Sequence, residues 1–251
     1  MTDLTPERLT DLMSLYEGDC LRVLPTLQPG SVDAVITDPP YGIDYQSNRR
    51  TATEQLAKIK NDARPFVWWL HGAAAALKEG GCLVCFCRWD TADTFRQCIE
   101  LTGLSVKQQL VWDRGVHGMG DLKGSPAPRH DIIWFAAKGR FILPGKRPTS
   151  MYSHMRLSGG NLTHPNEKPV SLMKALVEDY TAVGQTVLDP FGGSGATAKA
   201  AAAANRNCVL VEMDADYCGA IRRHFRGEVV TVSAAVVESC TAVQSESFCG
   251  L

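Results

Sequence analysis

The stretch that decides the fold is Thr186-Val-Leu-Asp-Pro-Phe-Gly-Gly-Ser-Gly195. Its apolar first part has the length and composition of a short buried strand, which ends at Asp189. A glycine-rich turn follows, and the alanine-rich segment 194–204 then predicts a helix. Strand, turn and helix in this order are the repeating unit of open α/β sheets, in which ligands bind at the carboxyl ends of the strands.

The spacing of the glycines indicates the kind of ligand. Gly192, Gly193 and Gly195 let a ligand approach the backbone closely, although an ordinary tight turn would also use them. The pattern is not the GxGxxG of dinucleotide sites and lacks the Gly-Lys-Ser/Thr ending of phosphate loops, so another adenosine derivative is favoured. About 20 residues further on, Glu212 ends the apolar run 208–211, where a carboxylate can accept hydrogen bonds from both ribose hydroxyls.

The rest of the chain repeats this alternation of short apolar runs and helical patterns, which predicts parallel βαβ units. We therefore expect an α/β fold with a doubly wound, mostly parallel sheet of seven strands. The predicted strands cover residues 14–17, 34–37, 82–87, 106–112, 131–136, 186–188 and 208–211. The predicted helices cover residues 64–78, 91–102, 171–180, 194–204 and 214–225.

The domain organisation follows from the interruptions of this rhythm. Residues 1–228 are expected to form one domain, with a polar loop at 44–61. Residues 139–166 are rich in glycine and proline and predict an irregular insertion rather than a strand or helix. The tail 229–251 has few charges, and both an added strand and a loose end stay open for it.

Length and composition exclude several classes of protein. A chain of 251 residues with 45% hydrophobic and 21% charged residues is typical of a globular domain, not of a disulfide-stapled miniprotein, a coiled coil or a disordered chain. Charged residues interrupt the apolar runs well before the ~20 residues that a membrane span needs. The N-terminus offers no apolar core of a secretory signal, and the nine cysteines suit a reducing compartment. We expect a cytoplasmic protein without a membrane partner.

A second motif, Asp38-Pro39-Pro40-Tyr41, directly follows the predicted strand 34–37. Two consecutive prolines fix the backbone of the turn. The turn thus holds a carboxylate, a carbonyl group and an aromatic ring together at the edge of the sheet. These are the groups that a binding site for an exocyclic amine needs. Taken alone, the tetrapeptide could be a simple proline turn.

Together, the tetrapeptide 38–41 and the glycine turn resemble the S-adenosylmethionine-dependent DNA amino-methyltransferases. The tetrapeptide precedes the glycine turn, which is similar to the circularly permuted β group of that family. The resemblance implies a Rossmann-like methyltransferase fold, S-adenosyl-L-methionine as cofactor, double-stranded DNA as partner and a role in restriction–modification. It also implies catalysis by Asp38, Pro39, Pro40 and Tyr41. Asp at the first position of the tetrapeptide is more usual for adenine N6 targets, and cytosine N4 is the alternative.

The resemblance further assigns residues to the cofactor. His164-Pro-Asn-Glu-Lys-Pro169 resembles the family's His-Pro-Thr-Gln-Lys-Pro motif, whose lysine binds the methionine carboxylate, although Asn166 and Glu167 depart from it. Gly18-Asp19-Cys20 matches the family segment that lies beside the adenine of the cofactor. Thr197 carries the hydroxyl group closest in sequence to the position where the family commonly has a threonine. The full predicted cofactor set is Asp19, Cys20, His164, Lys168, Asp189, Phe191, Gly192, Gly193, Gly195, Thr197 and Glu212.

Basic residues concentrate in the region where the β group keeps its target-recognition segment. Residues 122–163 carry seven Lys and Arg against Asp131 alone, a net charge of +6 that leaves −7 for the rest of a chain whose total is −1. A basic patch on an acidic body suits a polyanion, and a solvated loop is the alternative. The predicted DNA-binding residues are Arg49, Arg50, Arg140, Lys146, Arg147 and Arg156.

Three other interpretations are weaker. Cys82-Leu-Val-Cys85-Phe-Cys87 invites a zinc site, but on a strand Cys82 and Cys85 point to opposite faces, so core cysteines and no metal are expected. A glutamine-side-chain methyltransferase would typically have Asn in place of Asp38. A catalytically inactive DNA-binding module is disfavoured because both motifs retain the polar groups that the chemistry needs. A homodimer stays open.

Overall fold

The computed structural model describes residues 4–41, 65–118, 123–157 and 167–227. Within this part of the chain the fold has one sheet of nine strands and six α-helices. The strands are β1 (Glu7–Arg8), β2 (Met13–Glu17), β3 (Val32–Thr37), β4 (Leu77–Cys87), β5 (Ser105–Asp113), β6 (His130–Ala137), β7 (Met151–Ser153), β8 (Thr186–Asp189) and β9 (Asn207–Glu212). The helices are α1 (Cys20–Val23), α2 (Leu70–Ala76), α3 (Ala92–Leu101), α4 (Val170–Tyr180), α5 (Ala196–Ala203) and α6 (Ala215–Arg226).

The sheet has the strand order β1-β2-β9-β8-β3-β4-β6-β5-β7. Its centre is parallel from β2 to β4, and β7 adds a parallel pair with β5. The pairs β1/β2, β4/β6 and β5/β6 are antiparallel. The mostly parallel α/β fold is therefore confirmed, and each of the seven predicted strands is present.

Strand β9 shows why the fold is doubly wound. Cys208 and Leu210 belong to a hydrophobic cluster built with α5 and α6, whereas Val211 belongs to the main core on the other face. Successive side chains of a strand point to opposite faces, so both faces of the sheet are covered. Cys82 and Cys85 lie fully buried in β4, as expected for core cysteines.

Three expectations about elements were wrong. The described part of the sheet has nine strands rather than seven, because the short edge strands β1 and β7 lack an apolar run that would reveal them. Strand β7 also lies inside the insertion 139–166, which was expected to be irregular. It pairs with the backbone of β5, where the Val111 N–H donates to the Ser150 carbonyl at 2.8 Å.

The predicted helix 64–78 is shorter than its pattern suggested. Of its described residues only Leu70–Ala76 are helical, and the chain enters β4 at Leu77. The last two predicted residues are lost to β4, which pairs with the end of β6: the Gly80 N–H donates to the Lys138 carbonyl at 2.8 Å, and the Lys138 N–H donates to the Gly81 carbonyl at 3.0 Å. A contact more than 50 residues away in sequence thus overrides the local helical preference.

The register brings the ends of four central strands to one edge of the sheet. Glu17 of β2 pairs with Glu212 of β9, and Asp189 of β8 pairs with Leu210. Strand β3 pairs with β8 through Val35 and Leu188, so Asp38 leaves the sheet at the same edge. We call this the carboxyl edge. None of the helices in the described ranges is both long and apolar enough to cross a membrane.

Candidate active site

Asp38 and Tyr41 follow β3 at the carboxyl edge. Tyr41 is buried, and the side chain of Asp38 keeps 20% of its surface exposed. The carbonyl of Pro40 accepts a hydrogen bond from the Phe66 N–H at 3.3 Å, which ties the turn to the segment that precedes α2. The tetrapeptide is therefore tied to β3 at its start and to the Phe66 segment near its end, and the Asp38 carboxylate stays partly exposed.

Lys168 reaches the same place from the segment before α4. Its Nζ forms an ion pair with Asp38 Oδ2 and lies 3.3 Å from the Tyr41 hydroxyl. Three aromatic rings surround this ammonium group, with centroids at 5.1 Å for Phe86, 5.6 Å for Tyr41 and 5.9 Å for Trp112. The sequence did not point to Phe86 or Trp112, because an aromatic residue in a predicted strand is usually an ordinary core residue.

Asp189 lies beneath the glycine turn and joins three elements. Its Oδ1 accepts hydrogen bonds from the Thr37 hydroxyl at 2.7 Å and from the Phe191 N–H at 3.1 Å, and its Oδ2 accepts one from the Thr197 hydroxyl at 2.6 Å. Burial raises the pKa of this carboxyl to about 7, against the effect of the three donors. Asp189 and Thr197 thus support the turn from below.

Glu212 closes the glycine turn from the neighbouring strand. Its Oε2 accepts from the Gly193 N–H at 2.7 Å and its Oε1 accepts from the Asp214 N–H at 2.7 Å. Burial raises the pKa of Glu212 above its usual value. A carboxylate has about four lone-pair sites, so each oxygen can accept a further hydrogen bond from a ligand.

The glycines of the turn allow close packing against its neighbours. A Cβ added at Gly192 would lie 3.4 Å from the Val211 carbonyl oxygen and 3.5 Å from Glu212 Cβ. The missing side chain at Gly192 thus lets the turn lie close against β9, beside Glu212. Gly195 has φ +77°, a left-handed conformation that favours glycine and that starts α5.

Asp19 and Cys20 complete this side of the carboxyl edge. The Gly18 N–H donates to the Glu212 carbonyl at 2.8 Å, which keeps the segment beside the turn. The Asp19 carboxylate caps α1 by accepting from the Leu21 N–H at 2.9 Å. Burial and the nearby Asp19 charge raise the pKa of the Cys20 thiol to about 12, so Cys20 is a packing residue rather than a nucleophile.

Phe191 connects the glycine turn with the tetrapeptide. Its ring meets Trp69 edge to face at 5.3 Å between centroids and Phe66 at 6.0 Å. Because Phe66 also donates to Pro40, the two motifs share one aromatic wall. The sequence analysis missed Phe66 and Trp69, because they lie about 25 residues after the proline turn and only the fold brings them beside it.

The predicted DNA-binding residues separate into two groups. Arg156 lies at the carboxyl edge, where its N–H donates to the carbonyl of Arg114 just after β5. Arg140 follows the end of β6 and lies beside Gly80, at the opposite edge. Arg147 lines a groove with Lys107 from the amino-terminal half of β5, and Lys146 precedes it in the chain. Arg49, Arg50 and His164 lie outside the described residues.

The carboxyl edge also holds basic residues that the sequence analysis did not select. Arg129 forms two hydrogen bonds with Asp113, at 2.7 and 2.9 Å, and this pairing lowers the pKa of Asp113 to about 2. Arg114 lies 3.7 Å from Asp131. Only the antiparallel pairing of β5 with β6 brings these residues to the side of the tetrapeptide.

Comparison with known proteins gives a consistent result. The sequence profile described as "DNA methylase" matches residues 32–223. The chain is 34% identical over 205 residues to the protein named "Putative methylase YubD" of Escherichia coli (strain K12), covering 80% of this chain and 85% of that protein. It is 24% identical over 258 residues to the type II methyltransferase M.BglII of Bacillus subtilis, covering 86% and 70%.

Solved structures share the fold. The structure titled as the M1.HpyAVI–SAM complex superposes with a TM-score of 0.64 at 22% identity, covering 84% of this chain and 99% of that one. The PvuII DNA methyltransferase, titled as cytosine-N4-specific, superposes with a TM-score of 0.67 at 18% identity, covering 92% and 91%.

Proposed function

This chain belongs to the DNA methylase family, and from that premise we propose that it transfers a methyl group from S-adenosylmethionine to N6 of adenine in double-stranded DNA. The observation that carries the proposal is the adjacency of two sites. Asp38 and Tyr41 follow β3, and the glycine turn follows its neighbour β8 at the same edge. One strand thus presents the acceptor groups for an amine, and the next presents a cradle for the methyl donor.

The residues around the glycine turn fit the cofactor. Gly192 keeps the turn close to β9, Glu212 offers two carboxylate oxygens there, and Asp19 and Cys20 border the same position. When bound, S-adenosylmethionine supplies an activated methyl group on a positively charged sulfur. Phe191, Gly193, Gly195 and Lys168 complete the proposed contacts, Asp189 and Thr197 support them from below the turn, and His164 stays a prediction.

Asp38 prepares the target amine. The lone pair of an aromatic amine is delocalised into the ring, so the nitrogen is a poor nucleophile. Hydrogen bonds from the amine to the Asp38 carboxylate and the Pro39 carbonyl favour a more tetrahedral nitrogen whose lone pair can point at the methyl group. The negative charge of Asp38 also stabilises the positive charge that develops on the nitrogen. Holding the two reactants close together in the correct orientation supplies much of the remaining rate enhancement.

Tyr41 provides the face for the base. A target inside a duplex must be rotated out of the stack before an enzyme can reach it. The buried Tyr41 ring, fixed by Pro39 and Pro40, is a rigid surface for stacking. The four residues of the tetrapeptide thus act on the target base and not on the cofactor.

The proposal treats residues 1–228 as one methyltransferase domain with its recognition segment at about 139–166. The order of the motifs, with the tetrapeptide first, supports the permuted β group. The position of Arg156 at the carboxyl edge supports a DNA contact there. The roles of Arg140, Lys146, Arg147, Arg49 and Arg50 stay predictions. Relatives named as type II methyltransferases support a place in restriction–modification.

Mass spectrometry of nucleosides tests the choice of base. Unmethylated bacterial DNA is incubated with the protein and with cofactor that carries a deuterated methyl group, and is then digested to nucleosides. We expect labelled N6-methyladenine. If N4-methylcytosine alone carries the label, the target is cytosine N4 and not adenine N6. Label in RNA or protein but never in DNA would contradict DNA as the substrate class.

A further inference from the structure

The ammonium group of Lys168 occupies the position beside Asp38 that the proposed target amine needs. The residue is 8% exposed. Its Nζ donates to Asp38, lies 3.3 Å from the Tyr41 hydroxyl, and is surrounded by the rings of Tyr41, Phe86 and Trp112. A nitrogen with N–H donors, held at Asp38 among aromatic faces, has the contacts of a flipped base's exocyclic amine.

The pocket is built to hold a positive nitrogen. Phe86 is fully buried and Trp112 is 3% exposed, and their rings pack edge to face at 6.4 Å between centroids. The indole N–H of Trp112 donates to the His154 carbonyl at 2.8 Å, which fixes the orientation of the ring. Desolvated aromatic faces attract cations strongly, so the cage and Asp38 together keep the Lys168 ammonium in place.

The same contact opposes methyl transfer. The target amine becomes positively charged as the new N–C bond forms, and a second positive charge beside it raises the barrier. An ammonium paired with Asp38 also cancels the negative charge that would stabilise this amine. Lys168 must therefore leave Asp38 before the reaction.

We propose that Lys168 fills the target-amine position in the resting protein and that the base enters only after this ammonium has moved away. The inference rests on the proposed function and adds an order of events to it. The carboxylate at the amino-acid end of S-adenosylmethionine is an alternative partner for Lys168. Cofactor binding thereby opens the base pocket, and DNA without cofactor leaves the base stacked.

Fluorescence of 2-aminopurine tests this order. The probe replaces the target base in a duplex that carries the site found to be methylated, and its emission change on protein binding reports unstacking. In the absence of cofactor we expect little change with the parent protein and a change about tenfold larger with Lys168→Ala. Lys174→Ala is the matched control, because Lys174 lies on α4 as an exposed partner of Glu178. Lys168→Met, which keeps the side-chain stem, serves if the alanine variant is unstable.

A double-mutant cycle tests the resting contact without DNA. Asp38→Asn and Lys168→Met are compared singly and together by urea denaturation, with and without S-adenosylhomocysteine as a probe that carries the same carboxylate. We expect coupling between the two sites that shrinks when the probe is bound.

Two results overturn the inference. One is equal unstacking by the parent and both Lys168 variants without cofactor, and the other is no coupling between Asp38 and Lys168. Failure of the proposed function would look different, because no DNA base would then carry the deuterated methyl group although the coupling could still be measured.

Discussion

The buried carboxyl of Asp189 is an acid that the fold keeps partly protonated near neutrality. It accepts hydrogen bonds from Thr37, Thr197 and the Phe191 N–H, yet burial prevails and raises its pKa to about 7. In the unfolded chain the same group titrates near 4. The folded protein thus retains a proton that the unfolded chain has lost, which makes folding less favourable as pH rises between these two values.

This linkage predicts the effect of Asp189→Asn. Between about pH 4 and pH 7 the contribution of Asp189 lowers the free energy of unfolding as pH rises, and the neutral amide removes that contribution. We expect the stability of the variant, measured by urea denaturation across this range, to fall less steeply with pH than that of the parent. Parallel curves would show that Asp189 is ionised in the folded protein and that the assigned burial effect is wrong.

At the scale of elements, the start of α5 depends on one glycine. Gly195 has φ +77°, and an added Cβ would lie 3.1 Å from Ile221 Cγ1. Gly103 has a similar φ of +86°, but nothing lies within 4 Å of its added Cβ. The two positions therefore share the conformational penalty, and only Gly195 adds a clash and a place in the proposed cofactor site.

Alanine substitution at the two positions separates these effects. We expect Gly103→Ala to lose about 1–2 kcal/mol of stability with unchanged cofactor affinity. Gly195→Ala should lose more stability and bind S-adenosylmethionine more weakly, because Ile221 pushes the turn out of shape. Thermal denaturation and calorimetric titration measure the two quantities. If the two variants lose the same stability and bind the cofactor with the same affinity, the turn is not part of the binding site.

Elements differ in how far the sequence predicts them. The central strands and α5 were predictable because their apolar runs and alanine pattern are local signals, and α5 differs from its prediction by no more than two residues at either end. The shortened α2 and the strand β7 were not predictable in this way. Both depend on backbone partners far along the chain, Lys138 for the region after α2 and Val111 for β7.

At the scale of the whole molecule, the sheet separates two basic groups. Arg156 lies at the carboxyl edge with the candidate site, whereas Arg140 lies at the opposite edge. Each phosphate contact that is lost lowers the slope of log affinity against log salt by about one unit. We expect Arg156→Ala to show this change and Arg140→Ala to show a smaller one. An equal change in slope for both variants would mean that the DNA also contacts the edge of the sheet opposite the carboxyl edge.

The candidate site could be predicted in its motifs but not in its contacts. Asp38 and Glu212 were recognisable because each follows a predicted strand beside a proline or glycine signal. The cage of Phe86 and Trp112 around Lys168 was not recognisable, since it joins two strands with a segment more than 50 residues later. Arg114 and Arg129 were missed because only the pairing of β5 with β6 brings them to this edge.

The central claim is that one edge of the sheet holds the methyl donor on the turn after β8 and the target amine at Asp38. Asp38→Ala separates the two halves of this claim, because the proposed role of Asp38 concerns the amine and the proposed cofactor site is the glycine turn. The deciding measurement is calorimetric binding of S-adenosylmethionine together with transfer of tritiated methyl groups to DNA, on the same preparation of the variant. We expect cofactor binding at least as tight as that of the parent, because Asp38 no longer competes for Lys168, and transfer reduced at least about 100-fold. Transfer near the parental rate would contradict it.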